Sequence, residues 1–206
     1  MRVRQHVNPL KSNFFVIKPD AVKVPVGAAL EVELGSAEAY YLMDRARHEP
    51  AGYYVGIEIR RELVDKANGY CREQRLQNVS SVYANINVDL RRLFGQGQVR
   101  RFFLNFPDPC FKTKQHKRRV MGPQLVEDMH WLLADNGEVF VNTDIFDLAL
   151  EAMLELEWEV PRRFENQESP WTFLKEPRFA ARSRRETECE GKGVKIWRLA
   201  YRRVSL

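Results

Sequence analysis

Only three cysteines occur among 206 residues, at positions 71, 110 and 189. They are too few and too scattered for a disulfide framework or a metal-ligand cluster, and a reducing compartment is the simplest reading. The four histidines show no zinc spacing either, so no metal is expected. No apolar run approaches the roughly 18 residues of a membrane span. The opening stretch, MRVRQHVNPLKSNFFVIKPD, lacks the apolar centre of a secretory signal. A cytoplasmic protein without a membrane partner is therefore expected. The first strand-like segment is not followed by G-x-G-x-x-G, which disfavours a dinucleotide, because its pyrophosphate needs that close backbone approach. Acidic residues are in the minority: 28 Asp and Glu face 33 Lys and Arg, a net charge of +5. With 44% hydrophobic and 30% charged residues, the composition is that of a globular chain with an apolar core and a bias toward anionic partners.

Strand-like and helix-like segments alternate from about residue 28. AALEVEL (28–34), YYVGIEI (53–59), VSSVYA (79–84), VRRFFLNF (99–106), EVFVNT (138–143) and the alternating VKIWRLAYRR (194–203) read as strands. EAYYLMDRAR (38–47), ELVDKANGYCREQ (62–74), PQLVEDMHWLLA (123–134) and IFDLALEAMLELE (145–157) read as helices. Pro123 suits a first helical turn, and Asn136-Gly137 suits a stop. This order predicts an α/β fold of Rossmann-like kind: a mostly parallel twisted sheet with helices on both faces. One domain accounts for the length, with an N-terminal extension (1–27) ahead of the α/β core (28–206). Trp131, Trp158 and Trp197 fall in element-like patterns and are expected in the core.

In such folds ligands bind beyond the carboxyl ends of the strands. Polar groups gather in the corresponding loops: Glu33 and Gly35 after the first strand, Glu58 after the second, Asn85 after the third, Asp108 after the fourth and Thr143-Asp144 after the fifth. An acid ending the second strand commonly accepts hydrogen bonds from ribose hydroxyls. The fold alone still admits dehydrogenases, methyltransferases and kinases. The stretch NFPDPCFKTKQHKRR is more particular. Pro107 and Pro109 restrict the backbone on either side of Asp108. Five of the eight residues from Lys112 to Arg119 are Lys or Arg. A second basic region follows at 162–206, with twelve Lys or Arg against six Asp or Glu. Together the two regions make a candidate electrostatic footprint for a nucleic acid.

LNFPDPCFKTKQHKRR resembles the F-P-D-P-W-x-K segment and basic H-x-K-R-R tail of the tRNA (guanine-N7)-methyltransferases. LEVELGSAEA is similar to the cofactor loop of that family, YVGIEIRRELVDKA to its second strand and helix, and NVSSVYANI to its third strand. NGEVFVNTD and SRRETECEGKGVKIWRLAYRR resemble its T-D and T-x-x-E segments, so ordered matches run from about residue 28 to 203. The resemblance implies a class I methyltransferase that uses S-adenosylmethionine to methylate guanine N7 in the variable loop of tRNA. It implies cofactor contacts from Glu33, Gly35, Glu58, Asn85 and Asp108, with Asp108 also the catalytic carboxylate. Lys112, Asp144 and the segment from Ser183 to Glu186 are expected at the guanosine. Lys114, Lys117, Arg118 and Arg119 are expected against the RNA. Ala37 and Ala39 stand where the family has glycines, Asn85 where it has Asp, Cys110 where it has Trp, Gln115 where it has His, and Ser183 where it has Thr. These departures leave a second reading open, an RNA-binding protein of the same fold with weak or no catalysis.

Overall fold

β1 (Ala29–Leu34) is buried from its second residue onward, as befits a central strand covered on both faces. The computed structural model of the chain describes residues 7–10, 22–158 and 161–205. Much of the N-terminal extension, including most of the opening stretch, lies outside the described residues. After β1 come α1 (Tyr40–His48), β2 (Gly52–Glu58), α2 (Arg61–Glu73), β3 (Val79–Tyr83), α3 (Ile86–Leu93) and β4 (Val99–Asn105). A 3-10 turn (Thr113–Arg118), α4 (Pro123–Leu132), β5 (Leu133–Thr143) and α5 (Phe146–Glu157) follow. β6 (Phe164–Asn166), α6 (Arg184–Gly191) and β7 (Trp197–Arg203) close the order. The seven strands form one sheet in the order β3-β2-β1-β4-β5-β7-β6. Pairing is parallel from β3 to β5, and β7 runs antiparallel to both β5 and β6. The strand order reverses between β1 and β4, the switch point at which open α/β sheets bind ligands.

Alternation along the strands builds two different layers. On one face Val32, Leu34, Phe102, Leu104 and Val141 pack with Leu90 of α3, Val126 and Met129 of α4, and Met153 of α5. On the other, Phe103 and Phe140 stack at 5.5 Å beneath Tyr41 and Leu42 of α1. This second face also carries charge. Arg101 of β4 donates to Glu31 of β1 at 2.6 Å and to Glu138 of β5 at 2.7 Å. Arg45 of α1 is 1% exposed and donates to both oxygens of Glu31 at 3.0 Å. The Phe179 ring covers both guanidiniums, 4.2 Å from that of Arg45 and 5.3 Å from that of Arg101. Such pairing is what permits these charges to be buried at all.

The structure departs from the sequence expectations in several places; β6 (Phe164–Asn166) has no counterpart in them, and β7 starts at Trp197 rather than Val194. α4 ends at Leu132, and β5 begins five residues before the expected Glu138. Asn136, at φ 59, and Gly137 form a bulge inside the strand entry rather than a helix stop. The register there slips between Val99, paired to Leu133, and Arg101, paired to Glu138. α3 is absent from the sequence expectation; Asn85 caps it by accepting the Asn87 N–H at 3.1 Å. α6 is absent from it too, although Ser183 caps that helix by accepting the Glu186 N–H at 3.1 Å. Trp158 is 73% exposed, so it does not join the core.

Candidate active site

The loop after β1 is clamped onto β2. Gly35 and Ser36 both donate their N–H groups to the Ile57 carbonyl, at 2.9 and 3.1 Å. Gly56 makes this approach possible, since a methyl there would meet Ser36 Oγ at 2.3 Å. Gly35, Ala37 and Ala39 all take left-handed backbone, with φ of 81°, 46° and 55°. Alanine at the second and third of these positions keeps a glycine-like loop at a strain of about 1 kcal/mol or more per residue. Glu58, 2% exposed at the end of β2, ties the loop down: its Oε2 accepts the Ala37 N–H at 3.0 Å. The same carboxylate accepts from Arg60 Nε at 2.8 Å and from Arg60 Nη2 at 2.8 Å.

Glu58 and Gly35 line a cleft of about 340 Å³ at the carboxyl edge, together with Asn85, Asp108, Cys110 and Arg118. Asn85 donates its side-chain N–H to the Pro9 carbonyl at 3.0 Å, which brings the described part of the N-terminal extension to the cleft wall. Asp108 is exposed on a tight turn whose two flanks are strained: Phe106 has φ 49 and Cys110 has φ 45. Non-glycine residues hold such conformations only when the surroundings impose them. Here Phe106 N–H donates to the Asn142 carbonyl at 2.7 Å. Asp108 Oδ1 accepts the Cys110 N–H at 3.1 Å. Arg119 Nε donates to the Pro109 carbonyl at 3.0 Å, and its guanidinium also pairs with Glu151.

The basic run thus splits into two groups. Lys112, just ahead of the 3-10 turn, and Lys114 and Lys117 on it are exposed, whereas Arg118 and Arg119 turn partly inward. Arg118 reaches the cleft, and its Nε is buried without a hydrogen-bond partner among the described residues. Asp144, at the end of β5, accepts from Arg185 Nη2 at 2.6 Å, which docks the first turn of α6 against that strand end. Asp144, Ser183 and Glu186 are thereby brought together. Glu186, however, is 2% exposed and its carboxylate accepts from Arg198 Nη2 at 2.9 Å. Glu33 does not itself line the cleft but immediately precedes Leu34 and Gly35, which do; its side chain lies on the face of the sheet beneath α1. It accepts from Asn105 Nδ2 at 2.9 Å, while its Oε2 is buried and meets no donor among the described residues. Burial, with a smaller contribution from Glu58, pushes its carboxyl up to about 8, against the lowering effect of Asn105. The sequence reading misses Arg60, Asn105, Asn142 and Arg185, which bond to the candidate residues Glu58, Glu33 and Asp144 or, for Asn142, to Asn105.

The cysteines are free and buried, and burial raises the Cys71 thiol to about 11 and the Cys110 thiol above its ordinary value. None has the lowered pKa of a nucleophilic thiol. Among the described residues no group of His, Cys, Asp or Glu is placed to hold a metal ion. None of their helices is long and apolar enough to cross a membrane.

A seven-stranded sheet with one antiparallel strand near its edge, and a cleft at its switch point without a phosphate-binding glycine loop, defines the class I methyltransferase fold. Solved structures bear this out at the level of fold. Geranyl diphosphate C-methyltransferase from Streptomyces coelicolor, determined with S-adenosyl-L-homocysteine, superposes with TM-score 0.56 at 14% identity, over 87% of this chain and 76% of its own. An rRNA methylase from Streptococcus thermophilus gives TM-score 0.55 at 9% identity, over 86% and 88%. Residues 28–199 match the family described as "Putative methyltransferase". A tRNA (guanine-N7)-methyltransferase of a Synechococcus species is 36% identical over 201 residues, 96% of this chain and 84% of that protein. The enzyme of the same name from Synechococcus elongatus is 34% identical over 208 residues, 98% and 96%. The chain belongs to the tRNA (guanine-N7)-methyltransferase family.

Proposed function

We propose that the chain transfers a methyl group from S-adenosylmethionine to N7 of a guanine in the variable loop of tRNA, in the cytoplasm. The observation that carries this reading is the braced Phe106–Cys110 turn. It holds an exposed carboxylate at the switch point, beside a ribose-type acid and an exposed row of lysines. The site fits the cofactor on three counts. Its β1 loop keeps left-handed backbone at residues 35, 37 and 39. Its acceptors suit an adenosine and an amino-acid tail without a phosphate. Glu33 Oε2 is a buried acceptor with no donor among the described residues. Glu58, Asn85, Gly35 and Glu33 would hold the cofactor, which when bound supplies a methyl group activated by a sulfonium.

Guanine N7 has a lone pair and no proton, so neither a strong base nor a covalent nucleophile is required. Alignment of N7 with the methyl group supplies most of the catalysis. Positive charge arrives on the purine during transfer, and the Asp108 carboxylate would stabilise it. Asp108 and Asp144 can accept the N1–H and N2–H donors that distinguish guanine from adenine. Ser183 and Glu186 act through the first turn of α6 that they shape, since Glu186 is already paired with Arg198. Lys112, Lys114 and Lys117 offer counter-charge to the phosphates that must approach those acids; Arg118 extends this charge into the cleft and Arg119 braces the catalytic turn.

The alternative, an RNA-binding protein with little catalysis, rests on the alanine methyls in the cofactor loop. Incubation with unmodified tRNA and methyl-labelled S-adenosylmethionine separates the two. Methyl transfer to N7 yields labelled 7-methylguanosine on digestion to nucleosides. Tight tRNA binding with no label transferred would favour the alternative.

A further inference from the structure

Beneath α1, three polar side chains form a line across adjacent strands. Asn105 and Asn142 are register partners on β4 and β5, and Glu33 lies on the next strand, β1. Asn142 Nδ2 donates to Asn105 Oδ1 at 2.8 Å, and Asn105 Nδ2 donates to Glu33 Oε1 at 2.9 Å. Both amides therefore point their nitrogens toward β1, where the Glu33 carboxyl oxygen accepts. Glu33 is 4% exposed, and its second oxygen meets no donor among the described residues. A buried acceptor left unmade is unfavourable, so the position calls for a donor. At the far end, Asn142 lines a small cavity with Glu186 and Arg198, beside the start of α6. The line thus runs from the substrate side of the sheet edge to the cofactor side.

We infer that Asn105, backed by Asn142, is a positioning residue that fixes Glu33 so that Oε2 receives the ammonium group of the cofactor's amino-acid tail. The inference rests on the cofactor reading above. The ribose hydroxyls fall to Glu58, and the ammonium is the cofactor's only cationic N–H donor. A charge-assisted hydrogen bond in a buried site is among the stronger polar contacts. Two further titratable groups face Glu33. Glu58 on β2 opposes its ionisation, and Tyr41 on α1 has a phenol that burial holds well above its ordinary range, so it stays neutral. Losing the Asn105 donor removes an influence that lowers the Glu33 carboxyl. Binding of the ammonium requires ionised Glu33, so it strengthens as pH rises until the ligand's α-amino group loses its own proton, near about pH 8; without Asn105 the rising limb moves to higher pH.

Calorimetry with adenosylhomocysteine from pH 6 to 9 tests this on wild type, Asn105→Ala, Glu33→Gln and the double variant. Asn105→Ala should weaken binding about tenfold or more and shift the pH at which binding strengthens upward. Glu33→Gln should remove that pH step, and in its background Asn105→Ala should add little. Equal losses from Asn105→Ala in both backgrounds, or an unmoved pH step, would overturn the inference and leave Asn105 a packing residue. Wild type that fails to bind the probe at millimolar concentration would overturn the cofactor reading and the positioning role with it. Should Asn105→Ala not fold, Asn105→Asp keeps the side-chain volume but exchanges the Nδ2 donor for oxygen. The same loss is expected there, and wild-type affinity in that variant would sink the idea.

Discussion

Gly56 is the position at which one added methyl group would disturb the cofactor loop most directly. It faces Ser36 across the clamp formed by the Gly35 and Ser36 N–H groups on the Ile57 carbonyl. In Gly56→Ala the new Cβ would lie 2.3 Å from Ser36 Oγ and 2.6 Å from Ser36 Cβ. The hydroxyl can rotate away, but Ser36 Cβ is fixed to the backbone. Restoring a normal carbon–carbon separation therefore moves the loop by roughly 1 Å. Leu42 Cδ1, at 3.3 Å, is the end of a flexible side chain and can yield. Overpacking of this kind costs about 1–3 kcal/mol, or about 2–12 °C of melting temperature in a chain of this size. Ser36→Gly removes both clashing atoms, with a chain-entropy penalty of its own of up to about 1 kcal/mol. In that background Gly56→Ala should cost less than half as much. Denaturant unfolding of the four proteins gives the coupling, and adenosylhomocysteine titration should show a parallel loss and rescue of affinity. An equal cost in both backgrounds would show that the loop does not rest on Gly56 in the way described.

Three further outcomes are expected. Glu31→Gln removes the carboxylate that Arg45 and Arg101 share, leaving Arg45 to Glu49 and Arg101 to Glu138, and should destabilise the fold by about 1–3 kcal/mol at pH 7; denaturant unfolding showing a loss under about 0.5 kcal/mol would contradict that account of the buried ladder. Lys114→Ala with Lys117→Ala should flatten the salt dependence of tRNA binding by about one unit for each phosphate no longer neutralised, at unchanged melting temperature. Arg119→Ala should lower the melting temperature, because Arg119 bonds Pro109 and Glu151, and equal thermal effects from both sets would refute this division of the basic run. Glu33→Gln tests linkage. The Glu33 carboxyl rises from 4.5 to about 8 on folding, so the stability it lends is present below about pH 4.5 and is lost as pH climbs through 8. The variant should therefore gain on wild type in thermal melts between pH 5 and 8.5, and parallel profiles would count against the burial argument.

Much of the sheet edge is legible in the sequence because parallel strands covered on both faces read as apolar runs, so the polar residues ending them stand out. Glu58, Asn85 and Asp108 are found that way, and the structure lines one cleft with all three. Asn85 hides a second role: a loop group by its spacing, it also caps α3, whose Ile86, Leu90 and Leu93 pattern is short enough to pass for loop. Ser183 and Glu186 likewise carry a helix-cap signature inside what reads as a substrate segment. The burial of Glu186 depends on Arg198, a strand away in space and twelve residues away in sequence, and local pattern does not show it. Arg118 and Arg119 look like the other cations of their run because charge spacing says nothing about which side chains meet Glu151 or the cleft. Asn105 and Asn142 escape notice since an asparagine near a strand end resembles ordinary turn chemistry; their pairing exists only once β4 and β5 are in register. Trp158, placed by its helical spacing, shows the converse error: it falls just past the last turn of α5, where the packed face has ended.

The most direct test of the catalytic assignment is the rate of 7-methylguanosine formation in the variable loop of unmodified tRNA, measured by nucleoside mapping for wild type and Asp108→Asn together. Asp108 is exposed on its turn, so the substitution should leave the melting temperature nearly unchanged and should change adenosylhomocysteine affinity far less than the rate. Removing its charge should slow transfer about a hundredfold, the equivalent of about 2.7 kcal/mol of transition-state stabilisation. Similar rates in the two proteins, or methylation at another atom of the tRNA, would contradict the assignment of this turn as the catalytic element.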